Sequence, residues 1–321
     1  MLSFLTLKKT LNICLALKER IAKDINCFSR PFIFRIETFS YCNLKCVSCD
    51  TPYANTKEKR IMDFPDLQAI IAKIKESALR VSLYDMGEPL LNKNIYKIIK
   101  HVSDEKISTC ISTNFNLFEE KDIEKLFDSK LTVLEPCLDG YTQEIYEIYR
   151  KGGDVEKVKK NIKAVMDFKL KNGLLLPIVD TQIILFDHLK EELPLIKKFL
   201  KDCKVDKITY RKENLSFNSK NTSNFYKKSI CKSACFWLYL GMMIRPDGNV
   251  YPCDCRGFDR LPYGNILNEN LNEIWNNKYY RFSRNLFKKG PDLPYDEEML
   301  KIPCLTCKVF KIQRKMQSVK E

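Results

Sequence analysis

The sequence contains no run of about eighteen uncharged apolar residues, the length a bilayer-spanning helix needs, so no membrane span is expected. It also lacks the small-residue cleavage site that follows a secretory signal. Met1 to Leu17 is partly apolar, but Lys8, Lys9 and Lys18 interrupt or bound it, and the segment reads as an amphipathic helix in an N-terminal extension over 1–31. No fixed-period repeat is visible, which argues against a solenoid or a propeller. Nor is there a single basic stripe. The formal net charge of +14 is scattered along 321 residues, and Lys157, Lys159, Lys160 and Lys163 read as a solvated helix face. The summed field still attracts RNA, anionic lipid or phosphorylated molecules, but a nucleic-acid partner is not the expectation.

What is present is a core and an excess of sulfur. Apolar residues make up 45% and aromatics 11%, enough to bury a large α/β domain and a smaller appendage. Fourteen cysteines without a signal peptide point to a reducing cytoplasm, where clustered thiols suggest metal and not disulfides.

Strand-like apolar runs alternate with helix-period segments, the pattern of βα units around a parallel sheet. The strands expected are Phe32 to Glu37, Arg80 to Tyr84, Ile107 to Ser112, Leu131 to Leu138, Val179 to Leu185 and Lys207 to Arg211. Helices are expected near Pro65 to Ser77, Asn94 to Asp104, Glu119 to Asp128, Val155 to Lys171 and Leu189 to Lys201. Right-handed crossovers would curl six such units into a partial (β/α)6 barrel over 32–212, with its working loops at the carboxyl ends of the strands. A polar stretch from Glu213 to Lys228 reads as a linker, opening a C-terminal region over 213–321. That region carries a hairpin signal, Met242 to Ile244 and Asn249 to Tyr251 around Pro246-Asp247-Gly248.

Cys42, Cys46 and Cys49 stand as C-x3-C-x2-C just after the first strand. Three close thiolates suit a soft iron-sulfur site, and no fourth ligand lies nearby, which leaves one iron open to a small molecule. A zinc knuckle completed by a remote ligand is the competing reading. The approach Glu37-Thr38-Phe39-Ser40-Tyr41-Cys42-Asn43-Leu44-Lys45-Cys46 resembles the cluster loop of the radical S-adenosylmethionine (SAM) superfamily. That resemblance implies a [4Fe-4S] cluster whose open iron chelates the amino and carboxylate groups of SAM. Ser48 departs from it, since many members carry an aromatic residue before the third cysteine.

Further elements follow in the family's order. Gly87-Glu88-Pro89 resembles the segment that contacts the methionyl amine through exposed backbone acceptors. Ser112, Thr113 and Asn114 end the third strand, where they either bind a ribose or carboxylate or cap the next helix. Cys137-Leu138-Asp139-Gly140 departs from the usual Ser-x-Asp-Gly at its first residue. Arg150 is positioned to pair with the SAM carboxylate or to form a surface ion pair. Gln182 faces either the adenosine end inside the barrel or outward, and Arg211 or Lys212 ends the sixth strand, where a proton's charge could be taken up.

Cys235, Cys253, Cys304 and Cys307 form a second set, with seventeen residues between the first two and a closing C-x2-C. Four thiolates fill a coordination shell, so such a site cannot bind SAM; structural zinc is the alternative. Cys231 and Cys255 stand close enough in sequence to replace an assigned ligand. Cys14, Cys27, Cys110 and Cys203 are read as small hydrophobes. With Trp237, Arg245 to Cys253, Gly264-Asn265-Ile266 and Leu271 to Asn276, the set resembles the shortened SPASM, or twitch, extension. That implies one auxiliary [4Fe-4S] cluster.

The resemblance implies reductive cleavage of SAM to a 5'-deoxyadenosyl radical, with a reducing partner such as flavodoxin or ferredoxin. The leading expectation is an oxidoreductase acting on a small polar molecule of the sugar or cyclitol type, its auxiliary cluster accepting the second electron. Modification of a peptide or protein side chain is the second, although no leader-binding domain is apparent before residue 32. A metal-stabilised, non-catalytic RNA-binding protein is the alternative of another class, and would bind RNA in a salt-sensitive way.

Overall fold

The computed structural model describes residues 4–47, 49, 61–212, 235–253, 261–290, 293–294 and 296–307. The expected linker, Ser48, Cys231 and Cys255 lie outside the described residues. The chain divides into two compact units, one comprising Ile36–Gln68 and Arg80–Leu215, the other Met1–Arg35, Ala69–Leu79 and Ser216–Glu321.

The first unit is the βα array. Strands β2 (Arg80–Ser82), β3 (Ser108–Thr113), β4 (Val133–Pro136), β5 (Ile178–Leu185) and β6 (Lys207–Lys212) lie side by side in chain order. Each neighbouring pair is parallel. Between them run α3 (Ile95–Asp104), α4 (Ile123–Asp128), α5 (Gln143–Tyr149), α6 (Val155–Lys171) and α7 (Leu193–Asp202). Helix α6 shows why the pattern was readable. Asp154 caps it by accepting from the Lys157 amide, Lys169 and Lys171 close its last turn, and Val155, Val158, Ile162, Val165 and Met166 are buried at helical spacing.

Two helices begin later than expected. The Glu119 segment opens as a 3-10 turn, Glu120–Asp122, with a reciprocal Glu119–Asp122 cap. The Leu189 segment likewise starts as a 3-10 turn, and α7 begins only at Leu193, where Pro194 suits a first helical turn. Helix α5 was not expected. It is short and capped by Thr142; the Thr142 and Tyr141 amides are in turn held by the carboxylate of Glu192.

In the second unit, α1 (Leu7–Ala22) precedes β1 (Ile33–Ile36), which shares a sheet with β7 (Gly241–Ile244) and β8 (Val250–Tyr251) in the order β1-β7-β8. The antiparallel β7-β8 pair is the expected hairpin. Its turn needs Gly248, at φ +83°. The one-turn helix α8 (Trp237–Leu240) leads directly into β7; α2 (Phe64–Ile74) precedes β2, and α9 (Leu271–Trp275), α10 (Lys278–Lys289) and α11 (Pro303–Thr306) follow β8. The Lys73 ammonium donates to the carbonyls of Ile266, Leu267 and Glu269 at 2.6, 3.1 and 3.1 Å.

Helix α1 is amphipathic with its apolar side outward. Lys9, Ala16 and Glu19 are buried, whereas Leu7, Leu11 and Ile21 are 77%, 62% and 74% exposed. Glu19 is held on the inward side, its carboxylate accepting from the Phe28 and Ser29 amides. Of the cysteines read as small hydrophobes, Cys14 shares the outward side and is exposed, whereas Cys27, Cys110 and Cys203 are buried. No helix among the described residues is long and apolar enough to cross a membrane.

Candidate active site and auxiliary metal centre

The loop after β1 brings Cys42, Cys46 and Cys49 close enough for each to feel the others' charge. Burial pushes the Cys42 thiol up to about 12, against one hydrogen bond from the Leu44 amide. Burial also raises Cys46, with the Arg150 cation opposing it. Such thiols stay protonated at neutral pH unless a metal displaces the proton, so the donor set fits ligands that bind with proton release. Among the described residues no group of three or more His, Cys, Asp or Glu side chains converges on one ion position.

Gly87 closes the loop from the other side. A Cβ there would sit 1.8 Å from the Phe39 carbonyl oxygen and 2.6 Å from that of Tyr41, so only glycine lets the two backbones pass. The Glu88 amide donates to Tyr41 O at 2.7 Å. The Glu88 side chain is buried and turned away, accepting from Thr113 Oγ1 at 2.6 Å, the Asn114 amide at 2.8 Å and the Leu90 amide at 3.1 Å. It is a strut between two loops, and it accepts the hydrogen of the Thr113 hydroxyl. Pro89 starts the short 3-10 turn Pro89–Leu91 capped by Glu88. Asn114 donates to Asn43 Oδ1 at 2.9 Å and lies 3.7 Å from Cys42 Sγ, while its own Oδ1 accepts from the Asn116 amide. It therefore borders the cysteine loop while also forming a local turn.

Arg150 forms neither a surface ion pair nor an idle cation. Its Nε and Nη2 donate to Asp139 Oδ2 at 2.7 and 2.6 Å, with Asp139 fully buried and Arg150 12% exposed. Burial works against the guanidinium, but the Asp139 carboxylate outweighs it and holds the charge firmly. Asp139 Oδ1 also accepts from the Ile184 amide at 2.6 Å, tying the end of β4 to β5. Asp139 was visible within its motif, yet not as the partner of Arg150; the pairing needs α5, which the sequence did not reveal.

A second row crosses the carboxyl ends of the strands. Ser112 Oγ lies 3.7 Å from Cys137 Sγ, Cys137 bridges Gln182, and Gln182 Oε1 accepts from Arg211 Nε at 3.3 Å. Four residues from four neighbouring strands, Cys137 just past the end of its own, thus form one row, with Arg211 at the exposed end.

In the other unit, Cys235, Cys304 and Cys307 are mutual electrostatic neighbours. Burial lifts Cys235 to about 11 and raises Cys304 further. Cys253 lies two residues beyond β8. The sequence did not mark Tyr263 and Ser283, both fully buried beside Cys304: their hydroxyls are 2.6 Å apart, and Tyr263 Oη is 3.8 Å from Cys304 Sγ.

Residues 36–200 match the radical SAM superfamily. The chain belongs to that superfamily. Residues 235–308 match the SPASM family, an iron-sulfur cluster-binding domain. A radical SAM enzyme with a C-terminal cluster domain follows, as does its cofactor set: SAM, a [4Fe-4S] cluster and auxiliary iron-sulfur. Among curated relatives, a probable GTP 3',8-cyclase of Methanococcus maripaludis strain C5 is 31% identical over 137 residues, 43% of this chain and 46% of the relative. The chain thus spans about half the length of the first curated relatives it matches. A probable GTP 3',8-cyclase of Methanocaldococcus jannaschii is 29% identical over 187 residues, 58% of each chain. Among solved structures, Streptococcus suis SuiB bound to precursor peptide SuiA aligns with TM-score 0.66 at 16% identity, covering 95% of this chain and 76% of SuiB. BtrN in complex with AdoMet and 2-DOIA aligns with TM-score 0.52 at 19% identity, covering 81% and 88%. At these identities the likeness is one of fold, and it supports the partial barrel with an appended cluster domain.

Proposed function

We propose that this radical SAM enzyme oxidises a small polar substrate of the sugar or cyclitol type, removing one hydrogen atom at the barrel and passing a second electron to the auxiliary centre. The observation that carries this reading is the second thiol set, Cys235, Cys304 and Cys307 drawn together and Cys253 in the same unit. A centre closed by four cysteines has no iron to offer a substrate and is suited to holding an electron.

When bound, the first cluster and SAM supply a 5'-deoxyadenosyl radical, with flavodoxin or ferredoxin as the class of reductant. The chain's own residues do the positioning. Cys42, Cys46 and Cys49 would hold the cluster, Asn114 and the Gly87-Glu88-Pro89 loop border it, and the Arg150–Asp139 pair stiffens the wall beside Cys46. Ser112, Gln182 and Arg211 present hydroxyl, amide and guanidinium groups to ribose or substrate hydroxyls. Arg211, at the exposed end of this row, is placed to stabilise the charge left as the hydroxyl proton departs.

A second reading rests on the curated relatives of the barrel segment: a purine nucleoside triphosphate as substrate, with the +14 charge drawing in the phosphates. Anaerobically reconstituted protein, dithionite and SAM separate the two. Deuterium moving from a carbon-labelled cyclitol or sugar into 5'-deoxyadenosine, with one carbonyl formed per SAM cleaved, is the expected result. Label transfer and cyclisation with GTP instead would replace it with the second reading, and label transfer from a peptide would move the enzyme to the maturases.

A further inference from the structure

We infer that Tyr263 and Ser283 are positioning residues for the auxiliary centre, directing one hydroxyl hydrogen at Cys304 Sγ and so raising the reduction potential of the cluster that Cys304 binds. The inference rests on the auxiliary cluster of the proposed reading and not on its substrate.

The geometry is a closed triangle. Tyr263 Oη and Ser283 Oγ lie 2.6 Å apart, Tyr263 Oη lies 3.8 Å from Cys304 Sγ, and Ser283 also reaches that sulfur. All three side chains are more than nine-tenths buried, so water does not compete for these bonds. The two hydroxyls carry two hydrogens between them. If Tyr263 donates to Ser283, the serine hydrogen is left for the sulfur; if Ser283 donates to Tyr263, the tyrosine hydrogen is left. A thiolate bound to iron has no hydrogen to give, so it must accept. Either arrangement delivers a donor to Cys304.

The elements hold that donor in place. Ser283 sits within α10, whose start is fixed by Asn277 accepting from the Tyr279 and Tyr280 amides. Asn277 also donates to the Tyr263 carbonyl, fastening the loop to the same helix end. The Tyr263 ring packs edge-on to Tyr280, with centroids 5.0 Å apart. Neither hydroxyl can swing away without breaking packed contacts.

A hydrogen bond to a cluster thiolate favours the reduced state, because reduction adds one negative charge and the donor meets it in a low-dielectric site. One electron enters the cluster, no bond is made or broken, and both hydrogens stay on oxygen. Raising the potential makes the cluster a better acceptor, the property the proposed oxidation needs.

The test uses full-length protein with Cys42, Cys46 and Cys49 replaced by alanine, so that about four irons report the auxiliary cluster alone. EPR-monitored redox titration of the Tyr263→Phe, Ser283→Ala double variant in this background should show about a tenfold fall in the reduced-to-oxidised ratio at fixed potential, about 59 mV for one electron. Each single variant should fall by less, since the remaining hydroxyl keeps a hydrogen that reaches Cys304. Tyr279→Phe, whose hydroxyl faces Lys278 and Glu298, should leave the potential unchanged. Four irons with an unmoved potential in the double variant overturns the inference alone. Iron lost from the double variant but kept in Tyr279→Phe also overturns it, because the hydroxyls would then retain the cluster and not tune it. No iron in the triple-alanine parent overturns the inference and the auxiliary-cluster reading together.

Discussion

Replacing Asp139 with asparagine tests the wall of the barrel most directly. The carboxylate is fully buried and accepts three bonds, two from Arg150 at 2.6 and 2.7 Å and one from the Ile184 amide at 2.6 Å. Asparagine removes the negative charge and turns an NH2 group toward either a guanidinium or an amide, both of which are donors. Breaking a buried pair by removing one partner costs about 3–5 kcal/mol. Arg150 keeps 12% exposure, so water recovers part of its solvation and the lower end, about 3 kcal/mol, applies. At about 2–4 °C per kcal/mol for a unit of this size, the melting temperature of Asp139→Asn should fall by about 6–12 °C. Thermal melts followed anaerobically by near-ultraviolet circular dichroism read this out. Adding Arg150→Met should restore most of the loss by removing the stranded cation. A fall below about 2 °C, or a cycle additive within about 0.5 kcal/mol, would refute the argument that this pair is buried and coupled.

Three other outcomes follow from the same geometry. Burial raises the Glu88 carboxyl above its ordinary 4.5, against hydrogen bonds from Thr113, Asn114 and Leu90. The folded chain therefore holds that proton more tightly than the unfolded one, and stability falls as pH climbs from about 4.5 to the folded pKa; melts across this window should lose that slope in Glu88→Gln. In Gly87→Ala the added carbon meets the Phe39 and Tyr41 carbonyls, so the loop must shift. Iron content should drop at the first centre, and SAM should no longer perturb the cluster spectrum. Arg284 is fully buried among Tyr239, Trp275 and Tyr280, with its Nε on Leu238 O at 2.9 Å and no carboxylate at ion-pair distance among the described residues. Arg284→Ala should cost about 3 kcal/mol by opening a cavity, whereas Arg284→Met, which keeps the volume and drops the buried charge, should cost much less by the same melt.

The sequence revealed those features whose cause is local. Val155 to Lys171 was readable to the residue because cap, stripe and closing lysines all lie within it, and the β7-β8 hairpin because Pro246-Asp247-Gly248 specifies a turn. The cysteine loop was legible for the same reason, its ligands spanning eight residues from Cys42 to Cys49. Features that depend on distant partners were not. The Glu88 side chain was not readable as a strut, because the groups that hold its carboxylate, Thr113 and Asn114, lie 25 and 26 positions later. Helix α1 was readable as amphipathic, but not which side faces the unit, because the amides that hold Glu19 inward, Phe28 and Ser29, lie nine and ten positions further on. Tyr263 and Ser283 carry no motif; only the packing of α10 sets them beside Cys304.

Lys73 gives the segment from Ile266 to Glu269 a fastening that owes nothing to sulfur. Its single ammonium gathers three carbonyl oxygens from a stretch more than 190 positions further along the chain. Oxidants that strip iron from thiolates leave this clasp untouched, because amine and carbonyl groups take no part in that chemistry. The tie between α2 and the stretch beside the hairpin therefore does not depend on iron being bound.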